Sequence, residues 1–211
     1  MTSSFMPESE WERLVLAELE DLAEHGWETQ RGQAIVPGSE SEHTRITWDD
    51  LVMPSLVREA VARLNPDLPP AEVVAVVDHV LTPTSNDAFA ENKRVHDFLT
   101  RGVKYTYVDH NGQSQTPTVH LIDEREPHAN DFRAVQQVML RSSEFERRLD
   151  IVLYVNGMPL GFIELKKTSE DGEALATARA QLATYRDEFR TAFRFNAVCV
   201  VTDGTDRKSV V

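Results

Sequence analysis

Cysteine is nearly absent from this chain: Cys199 is the single one in 211 residues. An internal disulfide is therefore excluded, and the setting Ala-Val-Cys-Val-Val reads as a buried strand in a reducing compartment. Long apolar runs are missing too, since no stretch approaches the ~18 consecutive apolar residues that a membrane-spanning helix needs. The opening residues, Met-Thr-Ser-Ser-Phe-Met-Pro-Glu, carry no basic start followed by an apolar stretch, so secretion is not indicated. These absences predict a cytoplasmic protein without a membrane partner. Positive charge is scarce: 22 Lys and Arg stand against 35 Asp and Glu, a formal net charge of −13. Autonomous DNA binding draws much of its affinity from a basic surface, so any contact with DNA requires a local basic patch or help from partners. The seven histidines show no H-E-x-x-H or similar ligand spacing, and all read as surface or core residues. There is no G-x-S-x-G, which leaves a serine hydrolase unsupported.

What is present suffices for a packed core, because 41% of the residues are hydrophobic and fall in periodic runs. Residues 10–23 form an amphipathic pattern, with Trp11, Leu14, Val15, Leu19 and Leu22 on one stripe. Ser9 and Glu12 have the S-x-x-E spacing of a capping box, which predicts the helix start there. Residues 48–100 read as mostly helical. Pro54 sits at a first-turn position, and Asn65-Pro66 and Pro69-Pro70 break the pattern. The second half turns to strands: 104–109 and 118–122 around Asn111-Gly112, then 131–140, then 151–155 and 160–166 around Asn156-Gly157. A helix over 173–189 and a strand over 195–202 follow. Strands, then a helix, then a strand predict an α/β layer architecture.

The chemistry concentrates in Arg148-Leu149-Asp150-Ile151-Val152-Leu153-Tyr154-Val155-Asn156-Gly157-Met158-Pro159-Leu160-Gly161-Phe162-Ile163-Glu164-Leu165-Lys166. Both strands of this hairpin are almost wholly apolar, as buried central strands are. Asp150 interrupts the head of the first, and Glu164 and Lys166 the tail of the second. Period-two alternation sets Leu160, Phe162, Glu164 and Lys166 on one face. Charges placed there must pair, bind a metal or open onto a site, because burying them alone is costly. A plain two-residue turn sets Asp150 opposite Ile163, on the wrong face for Glu164. Pro159 cannot donate to the ladder, so a three-residue loop or a bulge is expected beside it. Two carboxylates and a lysine so arranged suit phosphodiester hydrolysis: oxygen ligands hold Mg²⁺, and an ammonium orients water or stabilises phosphate charge.

These residues resemble the nuclease motif of type I restriction enzyme R subunits, members of the PD-(D/E)xK nuclease superfamily. The resemblance extends to the N-terminal helix with its glutamate and following Gly-Trp pair, and to Asn130-Asp131-Phe132 leading into Gln136. It also covers a Q-x-x-x-Y motif at Gln181 and Tyr185 and the Val-Cys-Val-Val-Thr-Asp-Gly-Thr strand, so it spans nearly the whole chain. Leu149 stands where the family usually has a proline. The resemblance implies a restriction-endonuclease-like α/β core, a central mixed sheet flanked by helices with a helical insertion. As a single nuclease domain over 1–211, its core would cover about 8–36 and 101–205, and its insertion about 48–100. It implies that Asp150 and Glu164 are metal ligands for Mg²⁺, or Mn²⁺ in its place, and that Lys166 is the catalytic lysine. Gln181, Tyr185 and Glu12 would be accessory, with Glu8 and Glu10 as alternatives to Glu12. The implied partners are double-stranded DNA and the methyltransferase and specificity subunits of a restriction complex. R subunits also carry an ATP-driven helicase-like motor. No G-x-x-x-x-G-K-[ST] phosphate loop occurs in these residues, so ATP would act only through motor domains absent from the sequence.

Plainer assignments compete. Asp150, Glu164 and Lys166 could form a structural salt bridge at a strand end, Gln181 and Tyr185 could serve helix packing, and Glu12 could simply complete the capping box. A non-cutting docking module for partner restriction-modification subunits is the alternative to an endonuclease. Arg141, Arg147, Arg148, Lys166, Lys167, Arg179 and Arg186 gather around the motif in sequence and form the candidate basic patch.

Overall fold

A computed structural model of the chain describes residues 7–22, 26–166, 174–202 and 207–210. Helix α1 covers Glu8–Glu20, and strand β1 covers Glu28–Arg31, followed by a 3-10 turn over Gly32–Ile35. Helices α2 (Pro54–Leu64), α3 (Pro70–Leu81) and α4 (Ala88–Arg101) come next. Pro54 and Pro70 each open their helix, where a missing N–H costs nothing. Asp87 caps α4 by accepting the N–H groups of Phe89 and Ala90. The predicted strands 104–109 and 118–122 are broken into β2 (Val103–Lys104), β3 (Tyr107–Val108), β4 (Ser114–Gln115) and β5 (Thr118–Val119). These nest as an interrupted hairpin, β3 with β4 inside and β2 with β5 outside.

The main sheet holds β1, β6 (Phe132–Arg141), β7 (Glu146–Val155), β8 (Met158–Leu165), β9 (Val198–Thr202) and β10 (Arg207–Val210), in that spatial order. Strands β6, β7 and β8 form an antiparallel meander, while β1 runs parallel to β6 and β9 parallel to β8. Strand β10, which the sequence pattern did not suggest, adds antiparallel to β9. Helix α5 (Ala174–Glu188) makes the crossover that the parallel β8–β9 pair requires. This is the α/β restriction-endonuclease-like core, a mixed sheet flanked by helices.

Alternation along the strands feeds two hydrophobic layers. Leu16 of α1 packs with Ala134, Ile151 and Leu165 on one side. Ala178, Leu182, Tyr185 and Phe189 pack with Val152, Tyr154, Phe162 and Val201 on the other. Phe162, fully buried and stacked on Phe193 at 4.5 Å, contributes roughly 1.5–3 kcal/mol by burial. A second cluster joins α2, α3 and α4 to Val103, Val119 and Leu121 of the interrupted hairpin.

The turn at Asn156-Gly157 ties the two regions. Both residues have positive φ (51° and 79°), the conformation a two-residue hairpin favours. A Cβ on Gly157 would lie 2.6 Å from the Met53 carbonyl oxygen, so α2 can approach only a glycine. The buried Asn156 amide donates to Leu121 O and Asn130 Oδ1 at 2.9 Å, and its Oδ1 accepts from Asp131 N at 2.8 Å.

Two expectations change. The capping box does not form: α1 begins at Glu8 behind Pro7, whose φ of −65° suits a helix entry, and no side chain caps it. Ser9 and Glu12 therefore sit inside the helix, where the reciprocal pair cannot close. Asp150 is not at the head of its strand but midway along β7, because Glu146, Arg147 and Arg148 continue the ladder with β6.

Candidate active site

The hairpin carries the bulge expected beside Pro159. The turn itself is two residues long, with Val155 opposite Met158 and Tyr154 opposite Pro159. The pairing then shifts to Leu153 opposite Gly161, leaving Leu160 as the extra residue of a bulge directly after Pro159. Beyond it Ile151 pairs with Ile163, and one step further Asp150 stands across from Glu164. Without the bulge, Asp150 would face Ile163.

Strand β8 ends at Leu165, and Lys166 follows with its N–H on the Thr202 carbonyl of β9 at 3.0 Å. Both neighbours of β8 thus fix the strand end. The Leu165 N–H donates to Asp150 Oδ2 at 2.8 Å, locking that carboxylate against β8. Glu164 is fully buried, yet it is met by polar groups from two elements. Lys166 Nζ donates to its Oε1 at 3.1 Å, and Gln181 Nε2 of α5 donates to the same oxygen. Gln181 also donates to the Tyr185 hydroxyl, one helical turn on. Tyr185 is itself buried in the α5 layer, so the same side chain packs the core and reaches the candidate site through Gln181. Burial first, then the charge of Glu164, raises the Tyr185 pKa above its usual value, keeping the phenol protonated. Leu149, in the family's proline position, is buried in the same layer and pairs with Val138.

Of Glu10 and Glu12, it is Glu12 that reaches the sheet. It is buried and accepts from Gln137 Nε2 at 2.5 Å, whereas Glu10 lies outward beside Arg13 at 3.8 Å. The side chain of Glu8 lies outside the described residues. Gln137 had escaped notice in the sequence. The β6–β7 ladder passes from Gln136–Ile151 to Val138–Leu149, and Gln137 occupies the skipped position between, on the strand next to Asp150. Its φ is +58°, a conformation that costs a non-glycine residue on the order of 1 kcal/mol or more. The adjacent Gly32 allows the 3-10 turn to come close, since a Cβ there would sit 2.4 Å from Gln137 O. Two successive amides inside the apolar run Ala-Val-Gln-Gln-Val are the sequence signal that marks this break.

The donor set offered by Asp150 and Glu164 is two carboxylates on adjacent strands, the all-oxygen chemistry that hard divalent cations select. Glu12 is not drawn into a close three-ligand set with them. Among the described residues, that spacing (ligand atoms within 4.8 Å of one another) is met by Glu42, His43 and Glu59. His43 there lies 3.1 Å from Ser55 Oγ and 3.7 Å from Glu59, an arrangement the linear sequence conceals.

The expected basic patch is split. Arg147 turns to α5 and pairs with Glu188 at 2.7 Å, and Arg186 lies beside Asp187 at 3.7 Å. Arg141 pairs with Glu146 at 2.7 Å and lies over the Trp48 ring. Lys167 falls outside the described residues. Cys199 is half-buried on β9, its thiol donating to Asn196 Oδ1 at 3.4 Å. No helix among the described residues is long and apolar enough to cross a membrane.

The chain is similar to the type I restriction enzyme HindI endonuclease subunit of Haemophilus influenzae, 33% identical over 198 residues that make up 93% of this chain and 18% of that protein. It is 26% identical over 157 residues to the type I restriction enzyme EcoprrI endonuclease subunit of Escherichia coli, covering 72% of this chain and 47% of that protein. The chain thus spans less than half the length of either relative. The model of the type I restriction enzyme R protein N terminus matches residues 6–210. The hairpin with its bulged register, the crossover helix bearing Gln181 and Tyr185, and these matches agree: the chain belongs to the family of type I restriction enzyme R protein N-terminal regions.

Proposed function

We propose that this chain is a metal-dependent endonuclease domain that hydrolyses phosphodiester bonds of double-stranded DNA within a type I restriction-modification R subunit. The observation that carries the proposal is the convergence of Asp150, Glu164 and Lys166 at one strand end, with Gln181 reaching Glu164 from α5. A Mg²⁺ or Mn²⁺ ion held by Asp150 and Glu164 would supply Lewis-acid polarisation of the scissile phosphate. Lys166 presents an ammonium where it can hold the attacking water and offset charge on the phosphate oxygens. Gln181 and the Leu165 N–H keep the two carboxylates in place, so little reorganisation accompanies the reaction. In the step itself the water gives up a proton as its oxygen forms a bond to phosphorus, the P–O bond to the leaving sugar oxygen breaks, and that oxygen takes up a proton from solvent, so the net change is the addition of one water. The matched segment acts as one domain in this account, in the cytoplasm, with target choice left to specificity and methyltransferase subunits.

The test is supercoiled plasmid incubated with the chain and Mg²⁺, Mn²⁺ or a chelator. The proposal expects nicked or linear product with either ion and none with the chelator. Absence of cutting at high protein, together with binding to the methyltransferase–specificity complex, would replace it with the docking role.

A further inference from the structure

A groove of about 970 Å³ lies between α1, the 3-10 turn and the β6–β7 strands, with Gln136 and Gln137 in its lining. Four arginines line it: Arg13, Arg31, Arg141 and Arg148. The two carboxylates of its lining are engaged, Glu12 by Gln137 and Glu20 by the Thr29 hydroxyl. A protein whose net charge is −13 thus sets four arginines against two acids in one lining, and while Arg13 and Arg141 have Glu10 and Glu146 beside them, Arg31 and Arg148 carry the positive charge of the groove. Arg31 and Arg148 are exposed, and neither has a carboxylate within 4.0 Å among the described residues. Gln33 and Gln136 add neutral donors, and Arg141 rests on Trp48 at 4.9 Å. Gln137 in this lining sits between the Gln136–Ile151 and Val138–Leu149 rungs of the β6–β7 ladder, so the groove borders the strand position of Asp150.

We infer that this groove binds the sugar-phosphate backbone of duplex DNA and leads it to the Asp150–Glu164–Lys166 cluster, with Arg31 and Arg148 as its principal phosphate contacts. The inference rests on the endonuclease reading above and adds the path of the substrate to it. Guanidinium groups match phosphate oxygens in a bidentate way, and amides extend the same contacts without sequence preference. The arginines come from α1, β1, β6 and β7, so the groove forms only when the sheet does.

The experiment measures binding of a labelled DNA duplex to the chain across a salt series without divalent metal, so that no cleavage intervenes. Arg31→Ala/Arg148→Ala is compared with Arg101→Ala/Arg125→Ala, which removes equal charge from exposed positions elsewhere. Losing two phosphate contacts lowers the slope of log K against log salt by about two, and affinity at fixed salt falls at least tenfold. The control pair is expected to bind as wild type. Equal weakening by both pairs would reduce the effect to overall charge and overturn the inference, as would unchanged binding by Arg31→Ala/Arg148→Ala. Asp150→Ala separates the two proposals. Arginine-dependent binding that survives in Asp150→Ala supports the groove whether or not the wild type cuts. Cutting that needs Asp150 but ignores the arginines keeps the active site and removes the groove.

Discussion

Glu91 in the helical region and Glu164 in the sheet are both buried, and their surroundings differ as those of a structural anchor and a candidate active site do. Glu91 in α4 accepts from the Thr84 N–H at 2.8 Å and the Thr84 hydroxyl at 2.7 Å, and from Arg94 Nε at 3.0 Å and Nη2 at 2.7 Å. Arg94 in turn donates to the carbonyls of Val80 and Thr82, which closes the end of α3. Every member of that network comes from neighbouring turns of the helical region, and the arginine fork is rigid. Glu164 is buried as deeply but is held by a lysine at a strand end and an amide from a crossover helix. Those partners are of the kind that can reorient toward an incoming ion or phosphate. The sheet around Glu164 also breaks its own rules, with a bulge at Leu160 and a positive φ at Gln137. The helical region breaks none. Local irregularity thus concentrates around the candidate site, as it commonly does at functional sites.

Exchanging each glutamate for glutamine gives the sharpest contrast. Glu164→Gln keeps the volume and the fold but removes the carboxylate, and cutting of plasmid is expected to fall by a factor of about 10³ or more, read by gel. Next in size, Arg94→Ala leaves Glu91 buried without its cation and is expected to lower unfolding free energy by about 3 kcal/mol in urea titrations. Its activity per folded molecule should match wild type. If instead Arg94→Ala abolished cutting with stability unchanged, the division between anchor and site would fail. Gln181→Ala is expected to reduce cutting about 10–100-fold by loosening Glu164, and Tyr185→Phe by less, in single-turnover assays.

The smallest effect is on pH dependence. Burial works to raise the Glu91 pKa, but the Arg94 and Thr84 hydrogen bonds outweigh it and bring it from 4.5 down to about 2. A carboxylate with a depressed folded pKa contributes stability that is complete above its unfolded value and is lost as pH falls through the folded one. Unfolding measured between pH 4.5 and 2 should therefore show a progressive loss in wild type that is reduced in Glu91→Gln. An unchanged profile in that variant would assign the acid sensitivity elsewhere.

Much of this was legible in the sequence, for identifiable reasons. The helices over 48–100 follow from period and from Pro54 at a first-turn position, whereas Pro70, which reads as a breaker in the sequence, opens α3. The bulge beside Pro159 follows from the demand that Asp150 and Glu164 share a face. What was hidden depends on contacts between distant segments. Glu12 reads as a capping residue from its spacing to Ser9, but Pro7, two positions ahead of Ser9, starts the helix and carries both inside it. The basic patch was drawn from residues close in sequence, whereas the structure sends Arg147 to α5 and brings Arg13 and Arg31 beside Arg148. Gln137 acquires meaning only when β6 lies against β7 and α1.

The central claim is that Asp150, Glu164 and Lys166 form one hydrolytic site. Its most direct test compares wild type with Asp150→Ala and Lys166→Ala on supercoiled plasmid in Mg²⁺ and in Mn²⁺, with folding of all three checked by circular dichroism. Nicking or linearisation by wild type, absent from both folded variants, is the predicted result. Equal cutting by all three would contradict the account and place the chemistry elsewhere.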